Sequence, residues 1–246
     1  MEWATQFFYR KMRMNYFFDV DGTLTPHRQK IDKEFKKFFE NWATDKMENG
    51  DSVILVTGSD SKKTQQQIGS ALWRHMTACY QNCGNQMYVA GKLIKESTWK
   101  MSAMLHLDIL TLIETSPYYG KAKTNIEERA GMINISTVGR SADSKLRDAY
   151  YIWDQAVGER KKIVEVLSLR YPRLEFAIGG QISVDIYPRG RDKSQALNDW
   201  SGESVFFGDS CGEGGNDYTI AQQANRFHQV AEPKETRYII NSYYTA

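Results

Sequence analysis

Residues 16 to 25 read YFFDVDGTLT, three aromatics driven straight into two carboxylates one residue apart. Tyr16, Phe17 and Phe18 make a short apolar run of the kind found in a buried strand, and Asp19-Val20-Asp21-Gly22 carries the chemistry of a strand end and a turn. The carboxylates then stand at a strand's carboxyl edge, where open α/β sheets hold their ligands. The chain repeats this arrangement further on. In IDKEFKKFFENWATDKMENG, Ile31, Phe35, Phe38, Phe39 and Trp42 fall at helical spacing, and Gly50 is a natural stop. Residues 53 to 56 form a second buried strand ending in Thr57-Gly58-Ser59-Asp60, and a helix is predicted over about 61 to 74. Strand, helix, strand, helix is the rhythm of a parallel sheet with right-handed crossovers, a doubly wound, Rossmann-like α/β core.

Between about residues 89 and 188 the pattern changes to strands with polar alternation and two consecutive helices, predicted over 144 to 157 and 159 to 170. In GMINIS, Met132, Asn134 and Ser136 share one face and Ile133 and Ile135 the other, as antiparallel pairing over one apolar layer requires. In SVDIY, Ser183, Asp185 and Tyr187 likewise share a face opposite Val184 and Ile186. After Arg191 the first rhythm returns: a short helix, the strand SVFFGD, a helix from about Asp217, the strand FHQVA, and a last helix opened by Pro233. The expected organisation is an N-terminal extension (1–14), a first core segment (15–88), an inserted α+β domain of antiparallel sheet and helices (89–188), and a second core segment (189–246).

Composition narrows the function classes. Lysine and arginine number 32 against 30 acidic residues, a formal charge of +2, which supplies no broad field for nucleic acid. No stretch approaches the roughly 18 apolar residues of a membrane-spanning helix. Cys79, Cys83 and Cys211 form an odd set whose lone C-x3-C spacing is a weak metal or redox signal. The first residues, MEWATQFFYRKMRM, lack both the continuous apolar segment and the small-residue cleavage site of a signal peptide, so a cytoplasmic location is expected.

Three strand ends converge on one sheet edge: Asp19 and Asp21; Thr57 with Gly58 and Ser59; and Gly208-Asp209, followed by GEGGND. Lys193 joins them at the start of the helix that returns the chain to the core. Each piece has a plain structural use, since Asp favours turns, TGSD makes a helix N-cap and most lysines are solvated. Their common edge and order favour chemistry. An acidic metal site, a hydroxyl donor and an ammonium suit a phosphoryl group attacked by a carboxylate, with charge on its equatorial oxygens neutralised by Mg²⁺ and lysine. In that reading Asp19 is the nucleophile and Asp21 the general acid and base. Asp19, Asp209 and the main-chain carbonyl of Asp21 supply the hard oxygen ligands.

The order DVDGTLT, TGSD, lysine, GDxxxxGGND resembles that of the haloacid dehalogenase superfamily. More narrowly, FFDVDGTLTPHRQKI, RAGMINISTVGRS, IGGQISVDIYPRGRDKSQAL, FFGDSCGEGGND and PKETRYII resemble stretches of the eukaryotic-type phosphomannomutases. The resemblance implies that the inserted domain is a cap closing over the sheet. Arg129, Arg140 and Arg147 would hold a distal phosphate, with Ser183 and Asp185 on the sugar and phosphate, Arg28 reaching from the core side, and Gly58 and Ser59 lining the phosphoryl site. Asn216 and Asp217 of the GGND turn fall in its metal-binding segment, with Asp19, Asp21 and Asp209. It implies Mg²⁺ as cofactor, a small phosphorylated sugar as substrate, hexose 1,6-bisphosphate as activator, and a homodimer through the cap.

Three departures from the family's pattern leave the activity and the substrate open. Thr57-Gly58-Ser59 stands where the family usually has Gly-Gly-Ser, and a threonine there is more like the superfamily's sugar-phosphate phosphatases. YQNCGNQMYVAGKL and EERAG also depart from the family's pattern. The expectation is a hexose-phosphate mutase acting on mannose phosphate. The alternatives are a phosphatase sharing its first half-reaction and, from another class, a binding protein that uses the cleft without turnover.

Overall fold

The computed structural model describes residues 13–123 and 125–245. Residues 1–12 of the expected N-terminal extension lie outside them, and Met14 already opens the first strand. The core begins with β1 (Met14–Phe18), α1 (Lys33–Glu48), β2 (Ser52–Val56), α2 (Ser61–Ile68), α3 (Ser70–His75), β3 (Ala78–Gln81), β4 (Gln86–Val89) and β5 (Lys92–Glu96). There follow α4 (Ala103–Glu114), β6 (Ile126–Arg129), β7 (Met132–Ile135), α5 (Ser144–Val157), α6 (Glu159–Arg170), β8 (Leu174–Gly179) and β9 (Ser183–Pro188). A 3-10 helix, Lys193–Asp199, leads back to β10 (Glu203–Gly208), α7 (Tyr218–Gln223), β11 (Arg226–Gln229) and α8 (Pro233–Tyr243).

The first sheet has seven strands in the order β11-β10-β1-β2-β3-β4-β5. Neighbours from β11 to β3 pair in parallel, and β4 and β5 add an antiparallel edge. The apolar run of β1 is unbroken because both of its faces are covered. Tyr16 and Phe18, with Val53, Leu55, Val205 and Phe207, pack against α1 and α8. Phe17, with Ile54, Val56 and Phe206, packs on the opposite side against Ala196 of the 3-10 helix and Ile220 of α7. Phe18 stacks on Phe207 with ring centroids 4.6 Å apart, and the edges of Phe39 and Trp42 close around it. The second sheet is antiparallel, in the order β6-β7-β9-β8. Ile133, Ile135, Val184 and Ile186 turn its apolar face toward α4 and α6, so the polar residues of GMINIS and SVDIY are left on the other face.

The structure departs from the sequence reading in four places. The first sheet takes in β4 and β5 and so runs past the expected boundary at 88. The helix predicted over 61 to 74 breaks at Gly69, whose φ of +89° separates α2 from α3. Helix α4 was not expected: Leu105, Ile109 and Ile113 bury a regular stripe, but exposed Met104 and Leu107 blur its period. The short helix at Lys193 is 3-10 in form. No helix among the described residues is long and apolar enough to cross a membrane.

Replacing Phe18 by Ala removes a ring that is fully buried between the sheet and α1. A loss of about 3–5 kcal/mol in unfolding free energy is expected. Urea denaturation should show it as a lower midpoint at unchanged slope.

Candidate active site

Parallel pairing puts the ends of β1, β2 and β10 side by side, so the residues following them share one edge. Asp19 follows β1, with its amide bonded to Phe207 O at 2.9 Å; Thr57 follows β2, and Asp209 follows β10. Gly22 lets the first turn close, since a side chain there would collide with the Asp209 carboxylate, and its φ is +85°. Beneath them Lys193 Nζ donates to Asp19 Oδ1 at 2.7 Å and to Asp217 Oδ1 at 2.6 Å. Burial works against the Lys193 charge, but Asp19 and Asp217 more than reverse it and hold the ammonium. Burial pushes Asp19 well above its ordinary value; Lys193 pulls it back, and Asp217 and Asp209 add to the rise.

The Asp21 carboxylate faces a different set of partners. It accepts from Lys63 Nζ at 2.6 Å, Ser59 Oγ at 3.2 Å, Gln67 Nε2 at 2.8 Å and the Arg28 amide at 2.7 Å. Burial alone would raise its pKa; the Lys63 charge and these hydrogen bonds outweigh it and hold Asp21 well below the usual carboxylate range. Thr57 Oγ1 accepts from the Ser59 amide at 3.1 Å. Asp60 caps α2 by accepting from the Lys63 amide at 2.8 Å. TGSD is therefore both a helix cap and a site segment.

The polar face of the second sheet lies across the cleft. Arg129 donates to Gly58 O at 2.5 Å and bridges the two sheets. Glu127 holds Arg129 Nη2 at 3.1 Å and Arg140 Nε at 2.9 Å, and Arg140 Nη1 donates to Ser183 Oγ at 2.6 Å. Asn134, opposite Asp185 in the strand register, donates to it at 2.5 Å. Arg147 comes from α5 and is fixed by the carbonyls of Ala142 and Arg140, each at 2.7 Å. Its burial, with Arg28 and Arg140 nearby, lowers its pKa to about 10.

One cleft thus brings together Asp19, Asp21, Arg28, Thr57, Gly58 and Ser59 with Arg129, Arg140, Arg147, Ser183 and Asp185, and also Asp209 and Asn216. Lys193 and Asp217 lie just beneath, buried. Residues the sequence reading did not single out also face it: Lys63, His27 and Asn134. Lys63 had a local signal, three residues after an Asp N-cap and so on the first turn beside Ser59. Asn134 had another, the strand face it shares with Ser136. Glu127 and Gln67, missed as well, are visible only through the partners they hold.

Asp19, Asp209 and Asp217 each offer an oxygen, all within 4.8 Å of one another. Burial, then Asp217, raises Asp209 to about 6, although His27 Nε2 lies 3.3 Å away. Three carboxylates crowded this closely fit a hard divalent cation. Asp19 and Asp209 have the freer oxygens, because Asp217 is committed to Lys193 and to the Ser210 amide. The Asp21 side chain is turned to Lys63 and is outside this cluster.

A parallel sheet bearing an Asp-Val-Asp strand end, a buried lysine and a further acidic turn, with an antiparallel α+β insertion facing it, defines the haloacid dehalogenase superfamily and an enzyme of its phosphotransferase and phosphatase class. Solved structures share the fold. The C-terminal domain of C. albicans trehalose-6-phosphate phosphatase superposes with a TM-score of 0.60 at 16% identity, over 92% of this chain and 89% of that one. BT1666 of Bacteroides thetaiotaomicron, described among phosphatases of the haloalkanoate (HAD) superfamily, gives 0.57 at 12% identity, over 97% and 98%. The family model for eukaryotic phosphomannomutase matches residues 39–246. The phosphomannomutase of Arabidopsis thaliana is 35% identical over 235 residues, covering 89% of this chain and 92% of the relative. That of Saccharomyces cerevisiae is 34% identical over 235 residues, covering 89% of each. The chain belongs to the eukaryotic phosphomannomutase family.

The raised Asp209 pKa has a thermodynamic counterpart. In metal-free protein its cost to stability is absent below the unfolded carboxyl value near 4 and complete above about 6. Asp209→Asn should therefore stabilise metal-free protein at pH 7 by about 1–2 kcal/mol. Mg²⁺ should raise the melting temperature of the parent and not of the variant. Thermal melts in EDTA and in Mg²⁺ check both.

Proposed function

We propose that the protein is a Mg²⁺-dependent phosphosugar mutase that interconverts hexose 6-phosphate and hexose 1-phosphate, with mannose as the hexose. An Asp19 oxygen attacks phosphorus, the bond to the sugar oxygen breaks, and Asp21 gives that oxygen its proton. In the second half-reaction the free hydroxyl of a hexose monophosphate attacks the aspartyl phosphate, Asp21 takes its proton, the Asp19 carboxylate leaves, and hexose 1,6-bisphosphate forms. Hexose 1,6-bisphosphate is the activator because it first phosphorylates Asp19, and the intermediate because that phosphate, passed to a hexose monophosphate, makes the bisphosphate whose other phosphate then returns to Asp19. Lys193 fixes the nucleophile's orientation, and the Thr57 hydroxyl and the loop amides orient the phosphoryl oxygens. Asp19, Asp209 and the Asp21 carbonyl would hold Mg²⁺, with Asn216 and Asp217 beside them; when bound, it neutralises charge on the transferring group.

The observation that carries this reading is a second anion-binding wall opposite the nucleophile. Arg129, Arg140 and Arg147 of the second unit line the cleft, Arg28 of the core stands close enough to feel Arg140 and Arg129, and guanidinium forks suit phosphate. We take the antiparallel unit as a cap that closes over the sheet, with Ser183 and Asp185 toward the sugar. The relatives named phosphomannomutase support the activity, and the three buried free thiols fit the expected cytoplasmic setting. A dimer through the cap belongs to the same reading, and exposed Met104 and Leu107 leave apolar surface there.

Thr57 favours a second reading, a phosphatase that passes the aspartyl phosphate to water, because its buried hydroxyl stands in the cleft where the family usually has glycine. Incubation with Mg²⁺, mannose 1-phosphate and a trace of hexose 1,6-bisphosphate separates the two. Mannose 6-phosphate is expected; inorganic phosphate without it would overturn the mutase in favour of the phosphatase. Arg147→Ala should raise KM for phosphosugars at least about ten-fold and for a small aryl phosphate under three-fold. Steady-state kinetics on both substrates check this, and equal losses contradict a distal-phosphate role.

A further inference from the structure

A mutase must keep its aspartyl phosphate from water while no sugar is in place, and the Asp21 contacts provide a means. A carboxylate has about four lone-pair sites. In this structure all four are filled: Oδ2 by Lys63 Nζ at 2.6 Å and Ser59 Oγ at 3.2 Å, Oδ1 by the Arg28 amide at 2.7 Å and Gln67 Nε2 at 2.8 Å. Lys63 Nζ also donates to Ser59 Oγ at 2.9 Å, which closes a three-membered ring of contacts on Oδ2. A carboxylate engaged in this way has no free lone pair with which to take a proton.

The four donors differ in what can displace them. The Arg28 amide belongs to the main chain of a turn with φ +59°, and the Gln67 amide is buried and also held by Thr25 Oγ1 at 3.1 Å. Lys63 and Ser59 line the cleft. Arg28 and Arg129 stand close enough to act on the Lys63 charge, so a phosphate entering this corner meets three cationic groups. A docked sugar phosphate can therefore compete with Asp21 for the ammonium and the hydroxyl.

We propose that Lys63 is a positioning residue that selects the acceptor: in the sugar-free cleft its ammonium occupies Asp21 and denies water a base, and a docked sugar phosphate draws it away. This rests on the aspartyl-phosphate reading above. The suppressed step is hydrolysis, in which water adds to phosphorus, its proton passes to Asp21, the bond from phosphorus to the Asp19 oxygen breaks, and Asp19 keeps the electron pair.

Acetyl phosphate with Mg²⁺ and no sugar is the probe, because acetate leaves without a proton and the later loss of phosphate to water is then what is read. Phosphate release is measured for the parent, Lys63→Met, Lys63→Arg and Asp19→Asn. Lys63→Met should release phosphate at least about ten-fold faster than the parent, a part of the 10²–10⁴-fold that a fully available general base supplies. Lys63→Arg, which keeps a charged donor, should stay within about three-fold, and Asp19→Asn should release none. A folding defect would lower the rate, the opposite sign. An unchanged or lower rate in Lys63→Met, or an equal rise in Lys63→Arg, with release by the parent still dependent on Asp19, overturns the role of Lys63 alone. If the parent gives neither an acid-trapped Asp19 phosphate nor phosphate release, the aspartyl-phosphate reading fails and the proposal falls with it.

Discussion

The Lys193 ammonium, 1% exposed and set between two carboxylates, is the interaction around which the candidate site is built. Taking such charges out of water costs several kcal/mol per ion, and the cost is repaid only where the geometry satisfies all of them. The end of β1, the start of the 3-10 helix and the residue before α7 must therefore meet within hydrogen-bond distance. Asp19 and Lys193 are 174 positions apart, so the chain can build a whole second sheet between them, but it must return to this point. The same contact fixes the orientation of the Asp19 carboxylate and commits one oxygen of Asp217, leaving Asp209 and Asp19 to face the cleft.

The second sheet meets the core through a small apolar cluster, Met132 and Tyr187 against Cys83, and through polar contacts. Arg129 reaches the Gly58 carbonyl, and Ile178 forms an isolated bridge with Gly215. Burial would raise Glu127, yet Arg129 and Arg140 hold it at about 2, so it stays ionised between them. Glu127 steadies two of the guanidinium groups, and Arg28 and Arg147 add further positive charge. The cleft thus has an acidic end at the strand termini and a cationic side made by Arg129, Arg140 and Arg147 of the insertion together with Arg28 of the core.

Much of this was legible in the residues. Apolar runs ending in Asp or Thr-Gly-Ser announced strand termini of a parallel sheet, and the helices at 144 to 157 and 159 to 170 carried clear boundaries, the first capped by Asp143 and stopped by Gly158. Alternation in GMINIS and SVDIY told the wet face of the second sheet from its apolar face. What escaped did so for local reasons. Helix α4 exposes apolar side chains as well as burying them, so its period is blurred; β5 is exposed along its whole length and has no buried stripe to read. Gly69 permitted either a continuous or a broken helix, and packing chose the break. Lys63 carried only its place on the first turn after the Asp60 cap, which Lys62 in SKKTQQQ shares.

The sequence by itself determined where the strands end, which face of each element is apolar and which polar residues stand at the strand termini, because side-chain period and turn chemistry are local properties of the chain. Only the tertiary structure decided the partnerships: that Lys193 goes to Asp19 and Asp217, that Lys63 goes to Asp21, and that Arg129 closes on Gly58. Those choices follow from sheet order and from the need to pair every charge withdrawn from water, and neither is written in any one stretch of residues.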